Sequence, residues 1–333
     1  MAAPKRFIAG ADALQRRHAW LGFPYAVVRK FGEDKAGYLA ALIAYYGFFS
    51  LFPLMLVMVT VLGYVLQGNE DLQEKIVDST LAQFPVIGDQ ISQDVGSIDG
   101  NLVALIIGVA GALWAGLGAL QAMEHAMDSV WDVPHKDRPN FVVAKLRALL
   151  MLFVLGGGIL GVALLSSFGA AFEGFGLVAR IGTALAGVAL ATLVYLVSFK
   201  VLTNRDCPLR VYLPGAIVAG VLFVIVQSVG GIYIDRVVQN ADQTYGTFAI
   251  VIGLLTWMYL LGQFSVLAAE VNVVKENRLW PRSLPTTELT DADRRALKQH
   301  AAVETRVDEE DVTATVASAE LSASEQDRDR ARS

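Results

Sequence analysis

The sequence is poor in charged residues and nearly free of cysteine. Charged residues make up 18% of its 333 residues, whereas a typical soluble protein has about 25%. The single cysteine, Cys207, excludes a disulfide framework and any cysteine-based zinc or iron–sulfur cage. This balance argues against an ordinary soluble enzyme.

Signatures of catalysis are also missing. The sequence has no P-loop, no dinucleotide fingerprint and no G-x-S-x-G turn. Its four histidines, His18, His125, His135 and His300, lie in separate segments without H-x-H or H-E-x-x-H spacing. We therefore expect no catalytic residues, no metal site and no cofactor, and the chain is predicted not to be an enzyme.

What the sequence does have is long runs without charge. Hydrophobic residue types make up 54% of the chain, and even the shortest run, 181–199, covers about 28 Å as a helix, close to the ~30 Å hydrocarbon thickness of a bilayer. The pattern predicts an all-α membrane protein, a bundle of six transmembrane helices with amphipathic interfacial helices. The predicted spans are about 38–66, 101–122, 148–171, 181–200, 212–233 and 246–269.

Basic residues indicate how the spans are oriented. Of the twenty Lys and Arg in residues 1–282, seventeen lie before the first span, in the second-to-third and fourth-to-fifth connections, and after the sixth span. The other three connections hold one each. Since basic connections stay on the cytoplasmic side, both termini are predicted to be cytoplasmic.

The chain divides into three predicted parts. Residues 1–35 form a cytoplasmic segment with an interfacial helix, and residues 36–272 form the membrane domain. Residues 273–333 are expected to be a cytoplasmic, largely disordered acidic tail, because 283–333 hold twelve acidic and seven basic residues and few large apolar ones. Truncation near Leu284 is accordingly expected to leave folding intact.

Four stretches of sequence carry a family resemblance. They read GYLAALIAYYGFFSLFPLMLVM (37–58), ALQAMEHAMDSVWDV (119–133), YLPGAIVAGVLF (212–223) and TYGTFAIVIGLLTWMYLLGQFSVLAAEVN (244–272). At this spacing in a six-span chain they resemble the YihY/BrkB family of bacterial inner-membrane proteins. The candidate family-motif positions are Trp131, Pro214, Gly215, Tyr245, Gly246, Trp257, Glu270 and Asn272. Asp128 and Ala268 depart from the family pattern, which often has Asn and Gly there.

The resemblance implies a multi-pass protein of the bacterial plasma membrane. It points to a transporter or flippase-like protein for an unknown small-molecule or lipid substrate, with the lipid bilayer as its surroundings. The alternative is a non-catalytic envelope scaffold that binds partners. One branch of the family is linked to serum resistance. Some members carry an old ribonuclease BN label, but here the basic residues cluster at membrane borders, so neither ribonuclease activity nor a nucleic-acid partner is expected.

A cluster of hydroxyl-bearing side chains lies near a proline in the first predicted span. Pro53 removes a backbone hydrogen bond, and Tyr45, Tyr46 and Ser50 lie within two turns of it. Two interpretations stay open: a packing kink in which Ser50 bonds back to the chain, or a discontinuity that contacts substrate. A polar cavity that also reaches Gln263 would favour the second.

Two further patterns also leave alternatives open. Glu124, Asp128 and Asp132 repeat every four residues, which fits either a solvated helix face or a vestibule that collects cations. Small residues at the same spacing, such as Gly215 with Ala219, allow close helix packing within one chain. Association of subunits through these faces, giving a homo-oligomer, is the alternative.

The orientation can be tested by cysteine labelling. In a Cys207→Ser background, a membrane-impermeant thiol reagent applied to intact cells should label Gln90→Cys, because residue 90 lies in the first predicted outer loop. It should not label Arg138→Cys or His300→Cys until the membrane is opened. Labelling of position 138 in intact cells would reverse the predicted orientation.

Overall fold

A computed structural model describes residues 3–65, 102–171, 177–233, 247–284 and 288–316. Its secondary structure within these ranges is helical, with one short 3-10 turn, His135–Asp137, and no strand. The helices are α1 (Ala3–Arg17), α2 (Ala19–Glu33), α3 (Ala36–Val65), α4 (Leu102–Val130), α5 (Phe141–Ala171), α6 (Leu177–Leu202), α7 (Leu209–Tyr233), α8 (Thr247–Glu276) and α9 (Asp291–Ala302). The all-α class is confirmed.

Four helices contain segments long and apolar enough to cross a membrane. The segments are Phe141–Gly158, Ile181–Leu202, Leu209–Val229 and Val251–Glu276, and Ala36–Leu51 is a shorter apolar segment. Helices α3 and α4 occupy the positions of the first two predicted spans. Four candidate spans are thus supported, and the count of six stays a prediction.

The segments that the charge pattern assigned to one side meet at one end of the helices. We call this end the base; it consists of α1, α2, residues 131–140, 203–208 and 277–316, and the ends of the long helices that pack against them. The backbone N–H of Asn204 donates to Asp128 (3.0 Å), and the N–H of His135 donates to the carbonyl of Val303 (3.1 Å). These contacts bring the basic connections together at one end of the helices, and the side of the membrane on which this end lies stays a prediction.

A hydrophobic core fills the base. Trp131 is 1% exposed, with its ring 5.4 Å from the ring of Tyr212, and Met127, Phe199 and Leu279 are fully buried beside them in the same cluster. Above the base, α7 presents an exposed stripe at four-residue spacing. The stripe consists of Leu213, Ile217, Val221, Ile225 and Val229. An apolar stripe left in the open is what a lipid-facing helix surface requires.

Glycines set how closely the spans approach one another. A methyl group on Gly215 of α7 would collide with the carbonyl oxygen of Ala268 on α8. A methyl group on Gly220 would lie 2.5 Å from the hydroxyl oxygen of Thr192 on α6. Both contacts lie within one chain, so these small residues serve intramolecular helix packing.

The tail contains a folded segment that the sequence analysis did not expect. Helix α9 begins with a capping box, in which Thr290 accepts from the N–H of Asp293 and the Asp293 carboxylate accepts from the N–H of Thr290 (3.2 and 2.8 Å). Asp293 also binds Arg282 at 2.7 Å, and the two side chains are 1% and 2% exposed. Arg282 reaches both carboxylate oxygens of Glu33 on α2, at 2.7 Å. The expectation of a largely disordered tail therefore does not hold for residues 288–302. Polar contacts attach this segment to the rest of the protein, although it has few large apolar residues.

Breaking this attachment should destabilise the protein. Asp293→Ala leaves the buried Arg282 guanidinium with half of its compensation, and removal of one partner of a buried pair costs about 3 kcal/mol or more. We expect a clearly lower thermal unfolding midpoint for the full chain purified in detergent. Truncation after Leu284 should lower it as well.

Asp291→Ala is the matched control, since Asp291 is exposed on the first turn of the same helix and its loss costs about 1 kcal/mol or less. Burial would raise the pKa of Asp293, but hydrogen bonds from Thr290, Ser283 and Arg282 outweigh it and hold this pKa well below its usual range. Its contribution is therefore complete above pH ~4 and shrinks as the pH falls towards the folded-state pKa. A gap between wild type and Asp293→Ala that stays constant down to pH 2, or equal stability of the two alanine variants, would contradict this assignment.

Candidate functional site

Five titratable side chains converge at the base. Lys30, Asp34, Asp132, Glu270 and His300 form what we call the basal charge cluster. They come from α2, the residue that caps it, the turn after α4, helix α8 and helix α9. Parts of the chain from both ends therefore meet at one site.

Helix ends position two of the carboxylates. Asp132 has φ 50°, in the left-handed region, and the N–H of Val133 donates to the carbonyl of Asp128 as α4 ends. Asp34 caps α2, with its N–H donating to the carbonyl of Lys30, and the next residue, Lys35, has φ 53°. Both helices thus stop in a tight turn that directs an aspartate into the base.

The ammonium of Lys30 is the centre of the cluster. Its Nζ lies 2.6 Å from Oδ2 of Asp34, 3.1 Å from Oδ2 of Asp132 and 4.0 Å from Oε2 of Glu270, and its side chain is 3% exposed. His300 approaches the other oxygen of Asp132, with Nδ1 and Oδ1 3.5 Å apart. Asp132 is therefore shared between α2 and α9.

The pKa shifts follow from burial and these contacts. Burial alone would lower the pKa of Lys30, but Glu270, Asp34 and Asp132 together raise it above its usual range. Burial raises the pKa of Asp34, with Lys30 opposing it and the charge of Asp132 adding to it. The pKa of Asp132 is lowered because hydrogen bonds from His300 and Lys30 outweigh burial, and the same bond raises the pKa of His300. Lys30 is thus held in its charged form.

Three carboxyl groups face one ammonium in this cluster. Glu270 is fully buried, its carboxyl group lies against that of Asp34, and the nearest ammonium, that of Lys30, is 4.0 Å away. A buried carboxylate without a close cation is costly. Glu270 is the least compensated group of the basal charge cluster.

A pocket of about 240 Å³ opens beside the cluster. Asp34, Asp132 and His300 line it together with His125 and His135. The sequence analysis treated the histidines as separate because their spacing carries no motif. The structure brings three of the four to one pocket, since α4, the turn after it and α9 all end at the base.

The acidic stripe of α4 is buried. Glu124 and Asp128 are 4% and 2% exposed. Asp128 accepts from the backbone N–H and the side-chain amide of Asn204, while Arg147 lies 3.6 Å from Glu124. The interpretation as a solvated helix face is therefore wrong: these carboxylates fasten the fourth-to-fifth predicted connection to α4.

The polar side chains predicted to cluster on α3 are only partly brought together. Tyr45 and Tyr46 are 54% and 42% exposed, and the hydroxyl of Ser50 donates back to the carbonyl of Gly47 at 2.6 Å. This is the backward bond of the structural interpretation. The side chain of Pro53 lies outside the described residues, although residue 53 belongs to α3.

Gln263 is not joined to the α3 group. It is half-buried on α8, and no hydrogen bond within the described parts of the chain links it to Tyr45, Tyr46 or Ser50. Within the described residues, the four side chains are therefore not joined into one hydrogen-bonded group.

Several family-motif positions are packing positions of the base. The N–H of Gly215, which follows Pro214 inside α7, donates to the side-chain oxygen of the buried Asn272 at 2.6 Å. Arg205 lies over the ring of Trp131, 5.7 Å from its centroid, and donates to its carbonyl. Trp257 is half-buried on α8. Tyr245 and Gly246 lie outside the described residues.

Comparison with known proteins assigns the family. A family model described as Virulence factor BrkB matches residues 27–290, most of the chain. The chain belongs to the BrkB family. The matched region of this BrkB-family protein holds four members of the basal charge cluster and ends before His300.

The similar curated proteins are distant in sequence. The ribonuclease-like protein YfkH of Bacillus subtilis is 24% identical, over 74% of this chain and 91% of its own length. UPF0761 membrane proteins of Halorhodospira halophila and Azotobacter vinelandii are 23% and 25% identical, over 78% and 79% of this chain. The chain spans 58% and 65% of those two relatives. No solved structure matches. These relatives support an integral membrane protein.

The sequence analysis did not predict the burial of Lys30, although the residue spacing on α2 indicates it. Gly22, Ala26 and Lys30 are buried residues at four-residue spacing on one face of α2. A lysine that continues a small, apolar helix face is placed for burial and needs anionic partners. Those partners come from distant parts of the chain, so their identity could not be read locally.

Replacing this lysine should have a large effect. Lys30→Met leaves three neighbouring carboxylates without their central cation, so we expect a loss of about 3–5 kcal/mol in the free energy of unfolding. Lys30→Met combined with Glu270→Gln should recover part of the loss, because it removes the least compensated carboxyl group. Thermal unfolding in detergent measures both effects.

Lys275→Met provides the control, since Lys275 is exposed near the end of α8. It should unfold close to the wild-type temperature. If Lys30→Met were as stable as Lys275→Met, the basal charge cluster would not hold the base together.

Proposed function

We propose that this protein is a transporter or flippase-like protein of the bacterial plasma membrane, moving a small-molecule or lipid substrate, with its base in the cytoplasm. The BrkB family assignment and the membrane-protein relatives supply the coarser conclusion, an integral membrane protein. The further step to transport is supported by polar groups inside the membrane-spanning layer.

The observation that carries the proposal is a pair of exposed phenols on α3. Tyr45 and Tyr46 lie nine and ten residues after the start of this helix, or about 14–15 Å along it, near the middle of a bilayer. Their hydroxyls have no hydrogen-bond partner in the described portions of the chain. Because hydrocarbon offers such groups no partner, their position favours a polar path beside α3.

The packed base supports a state closed on the cytoplasmic side. Met127, Val130 and Val273 are fully buried there, and the basal charge cluster joins three helices, α2, α8 and α9, to the turn after α4. In an alternating-access cycle, one side is sealed by packing while the substrate site is reached from the other. Transport would then require the base to loosen.

We also propose that the protein is not an enzyme and acts on no nucleic acid. The carboxylates nearest the pocket are engaged by Lys30, and the basic residues follow the predicted membrane borders. The word ribonuclease-like belongs to the name of YfkH.

Transport can be tested by comparing lipids and metabolites of deletion and wild-type cells. A substrate should accumulate on one side of the membrane in the deletion strain, and the wild-type gene should restore its distribution. Tyr45→Phe with Tyr46→Phe keeps the ring shape and removes both hydroxyls, so this double variant should restore little while its abundance and thermal stability stay unchanged.

Tyr38→Phe is the matched control. Tyr38 is an exposed tyrosine of the same helix, but it lies within the first turn, at the base. It should restore the wild-type distribution. Full restoration by the double variant would remove the proposed path, and identical profiles of deletion and wild-type cells would favour the envelope scaffold instead.

A further inference from the structure

We propose that Glu270 and Asp34 bind one proton between their carboxyl groups, and that release of this proton into the neighbouring pocket loosens the base. The site lies where the last turns of α8 meet the residue that caps α2. Its ligand is a proton, which is exchanged with water. Proton binding does not rest on the proposed transport.

Two carboxyl groups in contact need a hydrogen-bond donor between them. The carboxyl group of Glu270 lies against that of Asp34, and no N–H or O–H group within the described ranges donates to either oxygen of Glu270. Ionised carboxyl groups only accept hydrogen bonds, so two carboxylates cannot satisfy each other. One proton supplies the missing donor, because a carboxylic acid donates a strong hydrogen bond to a neighbouring carboxylate.

Burial makes a second ionised carboxyl group unfavourable at this site. Glu270 is fully buried and lies 4.0 Å from the ammonium of Lys30, whereas Asp34 holds the same ammonium at 2.6 Å. A buried carboxylate that lacks a close cation takes up a proton instead, and two carboxyl groups that share one site do not both ionise near neutral pH. In the resting pair, Glu270 is therefore the acid and Asp34 the carboxylate.

The charges of the cluster balance when this pair holds one proton. Lys30 carries one positive charge, and Asp132, which faces it at 3.1 Å, carries one negative charge. His300 binds the other oxygen of Asp132, and this bond raises the pKa of His300 and favours its charged form. The one-proton pair adds one negative charge, which brings the sum to zero. Without the proton, the cluster has an excess negative charge.

The other helices that pack against α8 add no charge to this site. Helix α3 has no Asp, Glu, Lys, Arg or His, and Arg210, the one such residue in α7, is exposed. On α4, Glu124 and Asp128 bind the side chains described above, and His125 is exposed. Within the described parts of the chain, the basal charge cluster therefore sets the charge at Glu270.

Asp34 connects the buried acid to the pocket. It lines the pocket of about 240 Å³, whereas Glu270 does not. The proton therefore leaves in two transfers, from the Glu270 carboxylic acid to the Asp34 carboxylate and from Asp34 to a water molecule, which becomes hydronium. Lys35 and Arg138 line the same pocket, and their positive charge favours departure of the proton. Both carboxyl groups are then ionised.

Loss of the proton places two like charges between α2 and α8. Asp34 caps α2 and Glu270 lies in the last turns of α8, so their repulsion acts to separate these helices. The single ammonium of Lys30 does not compensate three buried carboxylates. The base is therefore packed in the protonated state and looser after the proton has left.

The test uses the full chain in detergent and the variant Glu270→Gln, whose amide donates to Asp34 in place of the proton. Wild type should show the infrared C=O stretch of a protonated carboxyl group, shifted in heavy water, and Glu270→Gln should lack it. Above pH ~5 the folded wild type holds one proton more than its unfolded state, so its stability falls as the pH rises. Relative to Glu270→Gln, its folded-to-unfolded ratio should decrease by up to about tenfold per pH unit until the pair is ionised.

Opening of the base is measured by tryptic cleavage after Lys30, which is buried and must be exposed by local opening before it is cut. Between pH ~7 and pH ~9, cleavage should accelerate more in wild type than in Glu270→Gln, since only wild type loses the proton. The variant also corrects for the pH dependence of the protease. Neither measurement involves a substrate, so their outcome is separate from that of the proposed transport.

Further variants separate the pair from its surroundings. Glu276→Gln is the matched control, since Glu276 is exposed on the same helix; it should keep the infrared band and the wild-type pH profile. Asp34→Asn removes the other carboxyl group and should also remove the band, even if Glu270→Gln does not fold. The difference between wild type and Glu270→Gln should persist when both carry His300→Gln, because it arises from the pair and not from the histidine.

Three results would overturn the proposal. They are the absence of a carboxylic-acid band that depends on Glu270, parallel pH profiles of wild type and Glu270→Gln, and a difference between the two that disappears with His300→Gln. Parallel profiles with a lower stability of the variant would assign Glu270 a packing role alone.

Discussion

A single buried ammonium group holds the base of this protein together. Lys30 can be buried only because carboxylates surround it, and those carboxylates come from the cap of α2, the turn after α4 and helix α8. Each element must be in place before the ammonium loses its water, since an uncompensated buried charge is strongly unfavourable. The interaction therefore selects one arrangement of the helices and makes the base cooperative.

Different interactions stabilise the base and the membrane-spanning part of the protein. At the base, ion pairs and a core around Trp131 fix the helix ends. Along the spans, where lipid removes the hydrophobic drive for helix association, close backbone contacts at Gly215 and Gly220 take over. The ring of Tyr46 packs against Gly118 of α4, whereas the hydroxyls of Tyr45 and Tyr46 take part in neither kind of contact within the described residues.

The sequence predicts the parts of this fold that depend on local pattern. Helical class, apolar segments and the grouping of basic connections at one end all follow from hydropathy and charge along the chain. The basal charge cluster does not, because its members become neighbours only after folding. The α9 segment was partly readable, since Thr290 followed by Asp293 is a capping box. Its partner Arg282 could be matched with Glu33 only in three dimensions.

The pairing of Arg282 with Glu33 also constrains the order of events during synthesis. The two residues are separated by 249 positions, with the whole membrane domain between them. Glu33 of α2 therefore has no Arg282 to pair with until the intervening segments have left the ribosome and entered the bilayer. Contacts of such long range form late because the intervening chain must first be arranged. Helix α9, the last helix of the described residues, thus closes a structure that begins with α1 and α2, and the base is complete only after the chain has been made as far as α9.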